Sequence, residues 1–131
     1  MFVMAYTVDL VKEHGYARLT FMDPLEGPIF EKALKETYAA LVKNRWHKIL
    51  LDVTPIEIKM PMTELYVFIS MFRTRMMMDV YFAVLARVDQ MQMIALIEHM
   101  ARDSGMKFKV CSQRDAALQW LGVAQEDAMS P

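Results

Sequence analysis

The sequence predicts an α/β domain: a four- to five-stranded, mostly parallel sheet that opens with an antiparallel hairpin and carries four helices, in the order ββαβαβαβα. Three observations predict it. Two alternating segments, Ala5 to Val11 and Tyr16 to Met22, stand at the start with the turn His14-Gly15 between them. Two unbroken apolar runs, Ile49-Leu50-Leu51 and Val80 to Ala86, have the composition of strands covered on both faces. Around these runs apolar residues recur at helical spacing, and alternation of strand with helix implies parallel pairing through right-handed crossovers.

Each element follows from its own pattern. In the first segment Tyr6, Val8 and Leu10 fall on one side and Thr7 and Asp9 on the other; in the second, Leu19 and Phe21 oppose Arg18 and Thr20. The loop from Asp23 to Pro28 holds two prolines and a glycine, and Pro28 suits a first helical turn. From Ile29 to Asn44 an apolar stripe of Phe30, Ala33, Leu34, Tyr38, Leu41 and Val42 opposes Glu31, Lys32, Lys35, Glu36 and Lys43. Lys48 to Thr54 is then the central strand. After a proline-punctuated loop, Thr63 is placed to cap a second helix whose inward residues are Leu65, Phe68, Ile69, Phe72 and Met76. Val80 to Ala86 is the next strand, left through Arg87-Val88-Asp89. A third helix spans Met91 to Asp103, with Ile94, Ile97, Met100 and Ala101 inward, and stops at Ser104-Gly105. Lys107 to Cys111 is the last strand. Ser112-Gln113-Arg114-Asp115 has the spacing of a capping box, with Asp in place of Glu or Gln, before a short helix from Ala116 to Leu121. Residues 1–123 read as one domain and 124–131 as a loose tail.

Composition narrows the function classes. The chain has 131 residues, enough for one core, and its 15 Lys and Arg against 16 Asp and Glu give a net charge of -1. Such a chain lacks the global positive field that holds a phosphate backbone, so nucleic acid is not an expected partner. A lone cysteine, Cys111, excludes an internal disulfide framework and suits a reducing cytoplasm. The start, MFVMAYTVDL, has no basic region and meets Asp9 early, unlike a signal peptide. Every apolar stretch is broken well short of the ~20 residues a membrane-spanning helix needs. The expectation is a cytoplasmic protein. Methionine, 14 residues, is the unusual component; it fills irregular cores and also covers adaptable binding surfaces.

Arg18-Leu19-Thr20, the run Lys48-Ile49-Leu50-Leu51-Asp52-Val53-Thr54, Phe82-Ala83-Val84-Leu85-Ala86 and the closing Ala116-Ala117-Leu118-Gln119-Trp120-Leu121 together carry a resemblance. With the order of elements, from Tyr16 to Leu121, they resemble the STAS domain family of anti-sigma factor antagonists and sulphate transporter tails. More narrowly, the chain looks like the bacterial single-domain branch grouped with CRAL-TRIO lipid-binding folds. The resemblance implies a non-enzymatic regulatory module that binds a protein and forms a homodimer. In the phospho-switched antagonists the central strand leads to an Asp-Ser-Ser-Gly-like turn whose serine takes the phosphate. Here the matching stretch is Lys59-Met60-Pro61-Met62-Thr63, which lacks both serines and the glycine. The serine switch is therefore not expected.

The candidate regulatory or ligand loop comprises Asp52, Thr54, Thr63, Arg87 and Ser112, all near carboxyl ends of strands, where α/β sheets gather their ligands. Thr63 is either a phosphoacceptor, favoured by a helix amino terminus, or a plain cap. Asp52 is either a functional carboxylate or the tie of the following loop. An enzymatic reading would pair Asp52 with Arg87. Cys111 ends an interior strand and suits an inert buried thiol better than a nucleophile. His14, His47 and His99 show no metal-binding spacing, and phosphate-binding glycine loops and nucleophile elbows are absent, so neither a metal nor a cofactor is expected. Met71, Arg75, Met77 and Met78, in the stretch SMFRTRMMMD, form a candidate interface, with core filling as the plain alternative. A second function class is a small apolar-ligand carrier, for a lipid or acyl chain, with its pocket between the second and third helices.

Overall fold

Alternation at the amino terminus does build a hairpin. Strands β1 (Tyr6–Val11) and β2 (Tyr16–Phe21) pair antiparallel, with Val8 opposite Leu19. Gly15, at φ +69°, closes the turn in a conformation that other residues rarely adopt. The computed structural model describes residues 5–24, 26–59, 61, 63, 64, 67 and 79–123. After the hairpin come α1 (Gly27–Asn44), β3 (Lys48–Asp52), β4 (Tyr81–Leu85), a 3-10 turn (Val88–Gln90), α2 (Met91–Asp103), β5 (Lys107–Cys111) and α3 (Arg114–Trp120). The helix predicted from Thr63 falls mostly outside the described residues, of which Thr63, Glu64 and Val67 are helical.

The five strands form one sheet in the order β1-β2-β3-β4-β5, parallel from β2 onward. That order puts the run Ile49-Leu50-Leu51 in the middle. Both faces are covered, which is why the buried middles of β3 and β4, Ile49 to Leu51 and Phe82 to Leu85, are apolar. One face, with Leu19, Ile49, Leu51, Phe82, Val84 and Phe108, packs beneath α1 and α2 through Leu34, Leu41, Ile94 and Ile97. The other, with Leu50, Ala83, Leu85 and Cys111, packs beneath α3 through Ala117 and Leu118. Leu10, expected on the buried side of β1, is 38% exposed because its strand lies at the sheet edge.

The free edge of β5 is answered by α2. Glu98 accepts a hydrogen bond from the Val110 amide at 2.6 Å, and Arg102 donates to the Phe108 carbonyl at 2.9 Å. Unpaired strand groups invite pairing with another chain, and two side chains occupy them here.

All three described helices stop in the same way. The amide after the left-handed residue bonds back to the carbonyl five residues before it: Trp46 to Leu41, Met106 to Ala101 and Val123 to Leu118. The residue at the left-handed position is Gly105 in α2 and Gly122 in α3, but Arg45 in α1, at φ 58° and ψ 39°. A side chain in that conformation costs about 1 kcal/mol. Two expectations are corrected. Val42 is 59% exposed and Thr37 fully buried in its stead, because at 100° per residue position 37 lies nearer the centre of the Leu34–Leu41 stripe. The Thr37 hydroxyl satisfies itself on the Ala33 carbonyl. The cap of α3 is Gln113, in extended conformation and without a side-chain bond, so the Ser112-to-Asp115 capping box does not form; the helix starts one residue too late for it.

Candidate functional site

At the carboxyl ends of β3 and β4 the chain leaves the sheet through Val53 to Ile56 and through Ala86 to Gln90. Both loops are anchored first by the backbone: the Val53 amide continues onto the Leu85 carbonyl and the Ala86 amide onto Cys111. Asp52 then folds its carboxylate onto the next turn, where one oxygen accepts from the Thr54 amide at 2.9 Å and the Thr54 hydroxyl at 2.7 Å. This is the local side-chain-to-backbone turn that Asp forms readily.

Arg87 and Gln90 reach across from the β4 side. The Arg87 guanidinium donates to the carbonyls of Thr54 and Ile56, and its Nε lies 3.0 Å from Asp89. That last bond holds the Asp89 carboxyl below its ordinary range, although the group is fully exposed. Gln90, only 8% exposed, donates to the carbonyls of Val53 and Ile56 at 3.0 and 2.8 Å and accepts from the Arg87 amide at 2.8 Å. All of its amide group is used inside the protein. The two loops are thus laced together, and three carbonyls that have no strand partner are satisfied.

The predicted site residues fare differently. Asp52, Thr54 and Arg87 meet at this one network, but Asp52 and Arg87 each bond the Thr54 segment; among the described residues no bond joins them to each other. Thr63 is exposed and already helical. Ser112 is exposed on the loop after β5. Met71, Arg75, Met77 and Met78 lie outside the described residues. Cys111 is buried, and burial pushes its thiol pKa up, away from the nucleophilic thiolate. Among the described residues no group of three His, Cys, Asp or Glu side chains could hold a metal ion. Likewise, among them no helix is long and apolar enough to cross a membrane.

Gln90 is the residue that sequence reading passed over. Its signal was available: a polar residue between the exit of an apolar strand and the start of a helix is placed to hold unpaired carbonyls. A second overlooked feature lies at the opposite end of the sheet. There a groove of about 400 Å³ is lined by Tyr38, Leu41, Val42, Arg45, Trp46, His47, Asp79 and Val80. It lies at the carboxyl end of α1 and the starts of β3 and β4; the pocket predicted between the second and third helices involves residues outside the described ones.

No protein-family model matches the chain, and no curated protein matches it. Solved structures do. An anti-sigma factor antagonist from Mycobacterium paratuberculosis superposes with a TM-score of 0.58 at 15% identity, over 87% of this chain and 90% of the other. An uncharacterised protein of the DUF3478 family with a SpoIIAA-like fold, from Shewanella loihica PV-4, superposes with a TM-score of 0.59 at 14% identity, over 89% and 92%. At such identities the likeness is one of architecture: this chain has the STAS-like, SpoIIAA-like fold.

Proposed function

We propose that the chain is a regulatory, protein-binding module of the bacterial cytoplasm, a homodimer that acts by contact rather than turnover and without the usual phosphoserine switch. The observation that supports it is the closed network at the carboxyl end of the sheet. Asp52 and Arg87, the pair that the enzymatic reading would use, hold loop backbone instead, together with Gln90. The held segment ends at Ile56, and Glu57, Lys59 and Thr63 beyond it are exposed. A pre-formed surface suits recognition, since little ordering has to accompany binding. The absence of serine from 53–63 leaves Thr63 as the hydroxyl near the helix start.

The test places a photo-crosslinking residue at Glu57 or Lys59 in the protein expressed in its host, with a control at Lys35 on the outer face of α1. A recurrent protein partner caught from 57 and 59 but not from 35, a dimer mass by native mass spectrometry, and unchanged capture in Thr63→Ala are expected. A monomer with no loop-specific partner overturns the reading. Lipid or acyl adducts in the same mass spectrum would favour the apolar-ligand alternative.

A further inference from the structure

The groove at the amino end of the sheet combines features that the protein-binding reading does not use. Its walls are apolar and aromatic: Leu41 and Val80 form buried parts, Val42 is exposed, and Tyr38 and Trp46 are half-buried. Trp46 is backed by the hairpin turn, where a side-chain carbon at Gly15 would stand 3.6 Å from the indole ring. A volume of about 400 Å³ falls within the range of small-molecule sites, as does an apolar lining with a few polar groups. The rim carries one guanidinium, Arg45, and one carboxylate, Asp79, with His47 beside them. Among the described residues neither Arg45 nor Asp79 has an ion-pair partner, and no ion pair joins the two.

The backbone adds an independent observation. Arg45 holds the left-handed position that glycine occupies at the ends of α2 and α3. Backbone strain of this kind concentrates where a side chain has a task, and Arg45 is the strained residue on the groove. Local stability gives no reason for an arginine there.

We propose that the groove binds a small zwitterion with a large apolar side chain, an α-amino acid such as phenylalanine or leucine. Arg45 takes the carboxylate, Asp79 the ammonium, and the side chain lies against Trp46, Tyr38, Val42 and Val80. The opposite charges at the rim match this class; a simple acid would meet Asp79, and a simple amine would meet Arg45. The site is separate from the carboxyl-end network, so it stands or fails independently of the protein-binding function.

L-phenylalanine titrated into the ¹⁵N-labelled protein is expected to give saturable amide shifts confined to 38–47 and 79–81. 3-Phenylpropionate and phenethylamine, which each lack one charge, should bind at least about tenfold more weakly, the loss of one charge-assisted hydrogen bond. Arg45→Gly should weaken phenylalanine by a similar factor while unfolding at the same temperature or higher, because glycine relieves the strained position. Asp79→Asn should weaken phenylalanine but not 3-phenylpropionate. The proposal is overturned by the absence of saturable shifts, by equal binding of phenylalanine and 3-phenylpropionate, or by unchanged phenylalanine affinity in Arg45→Gly.

Discussion

The two ends of the sheet contrast in how they treat polar groups. At the carboxyl end Asp52, Arg87 and Gln90 each bond the backbone of the loop from Val53 to Ile56, and Gln90 is buried while doing so. At the amino end Arg45 and Asp79 stand on the rim of an apolar groove, with no ion-pair partner among the described residues. The usual expectation for parallel sheets is the reverse, with reactive groups gathered at the carboxyl ends. In this chain Asp52, Arg87 and Gln90 clasp the backbone at that end, while Arg45 and Asp79 have no ion-pair partner, among the described residues, at the other.

Substitutions can break or sharpen the contrast, and they rank by how much of each end they disturb. The largest effect belongs to Gln90→Leu, which leaves the Arg87 amide without its acceptor and the Val53 carbonyl with only the Ile56 amide, at 3.3 Å, and puts an apolar side chain among these polar groups. A loss of about 3 kcal/mol in unfolding free energy is expected in urea titration. A loss below about 1 kcal/mol would mean that water replaces the glutamine and that the clasp is loose. Arg87→Met comes next, at about 1.5 kcal/mol, since the guanidinium is partly solvated and Gln90 still serves Ile56.

At the other end the sign reverses. Arg45→Gly should stabilise the protein by about 0.8 kcal/mol, since glycine enters the left-handed position without the penalty. Destabilisation would show that the arginine side chain makes a contribution to folding, and the contrast between the ends would weaken accordingly.

The smallest effect is a pH dependence near the outer corner of the carboxyl end. Tyr6 donates to Glu36 at 2.6 Å, tying β1 to α1. Burial, then that bond and the Glu36 charge, push the Tyr6 hydroxyl from 10.0 up to about 12. A raised pKa on this acid favours its neutral form in the folded state. The stabilisation is therefore complete below pH 10 and is lost as pH rises from 10 towards about 12. The slope of stability in that window should flatten in Tyr6→Phe.

Much of the architecture was legible because it rests on local periodicity. The limits Met91–Asp103 and Lys107–Cys111 were read from pattern alone, and the apolar runs around Leu50 and Ala83 announced strands covered on two faces. Stops were legible where glycine marked them, as at Gly105. They were less so at Arg45, whose left-handed conformation has no compositional signature; among the starts, Gln113 was missed because a plausible cap stands one residue earlier. The site was half legible. Asp52, Thr54 and Arg87 were singled out and do converge, but Asp52 bonds the amide and hydroxyl of Thr54 and Arg87 the carbonyls of Thr54 and Ile56, and those backbone partners are not displayed by sequence.

By itself, then, the sequence determined the class of fold, the central place of Lys48 to Asp52 and the face each strand residue takes, since periods of 2 and 3.6 are properties of neighbouring residues. Only the tertiary structure decided what the polar residues do. Whether Gln90 holds Ile56, 34 positions away, or Arg45 and Asp79 share one groove, depends on which strands become neighbours. Pairing of that kind is fixed by burial of the whole sheet and leaves no trace in any local stretch of the chain.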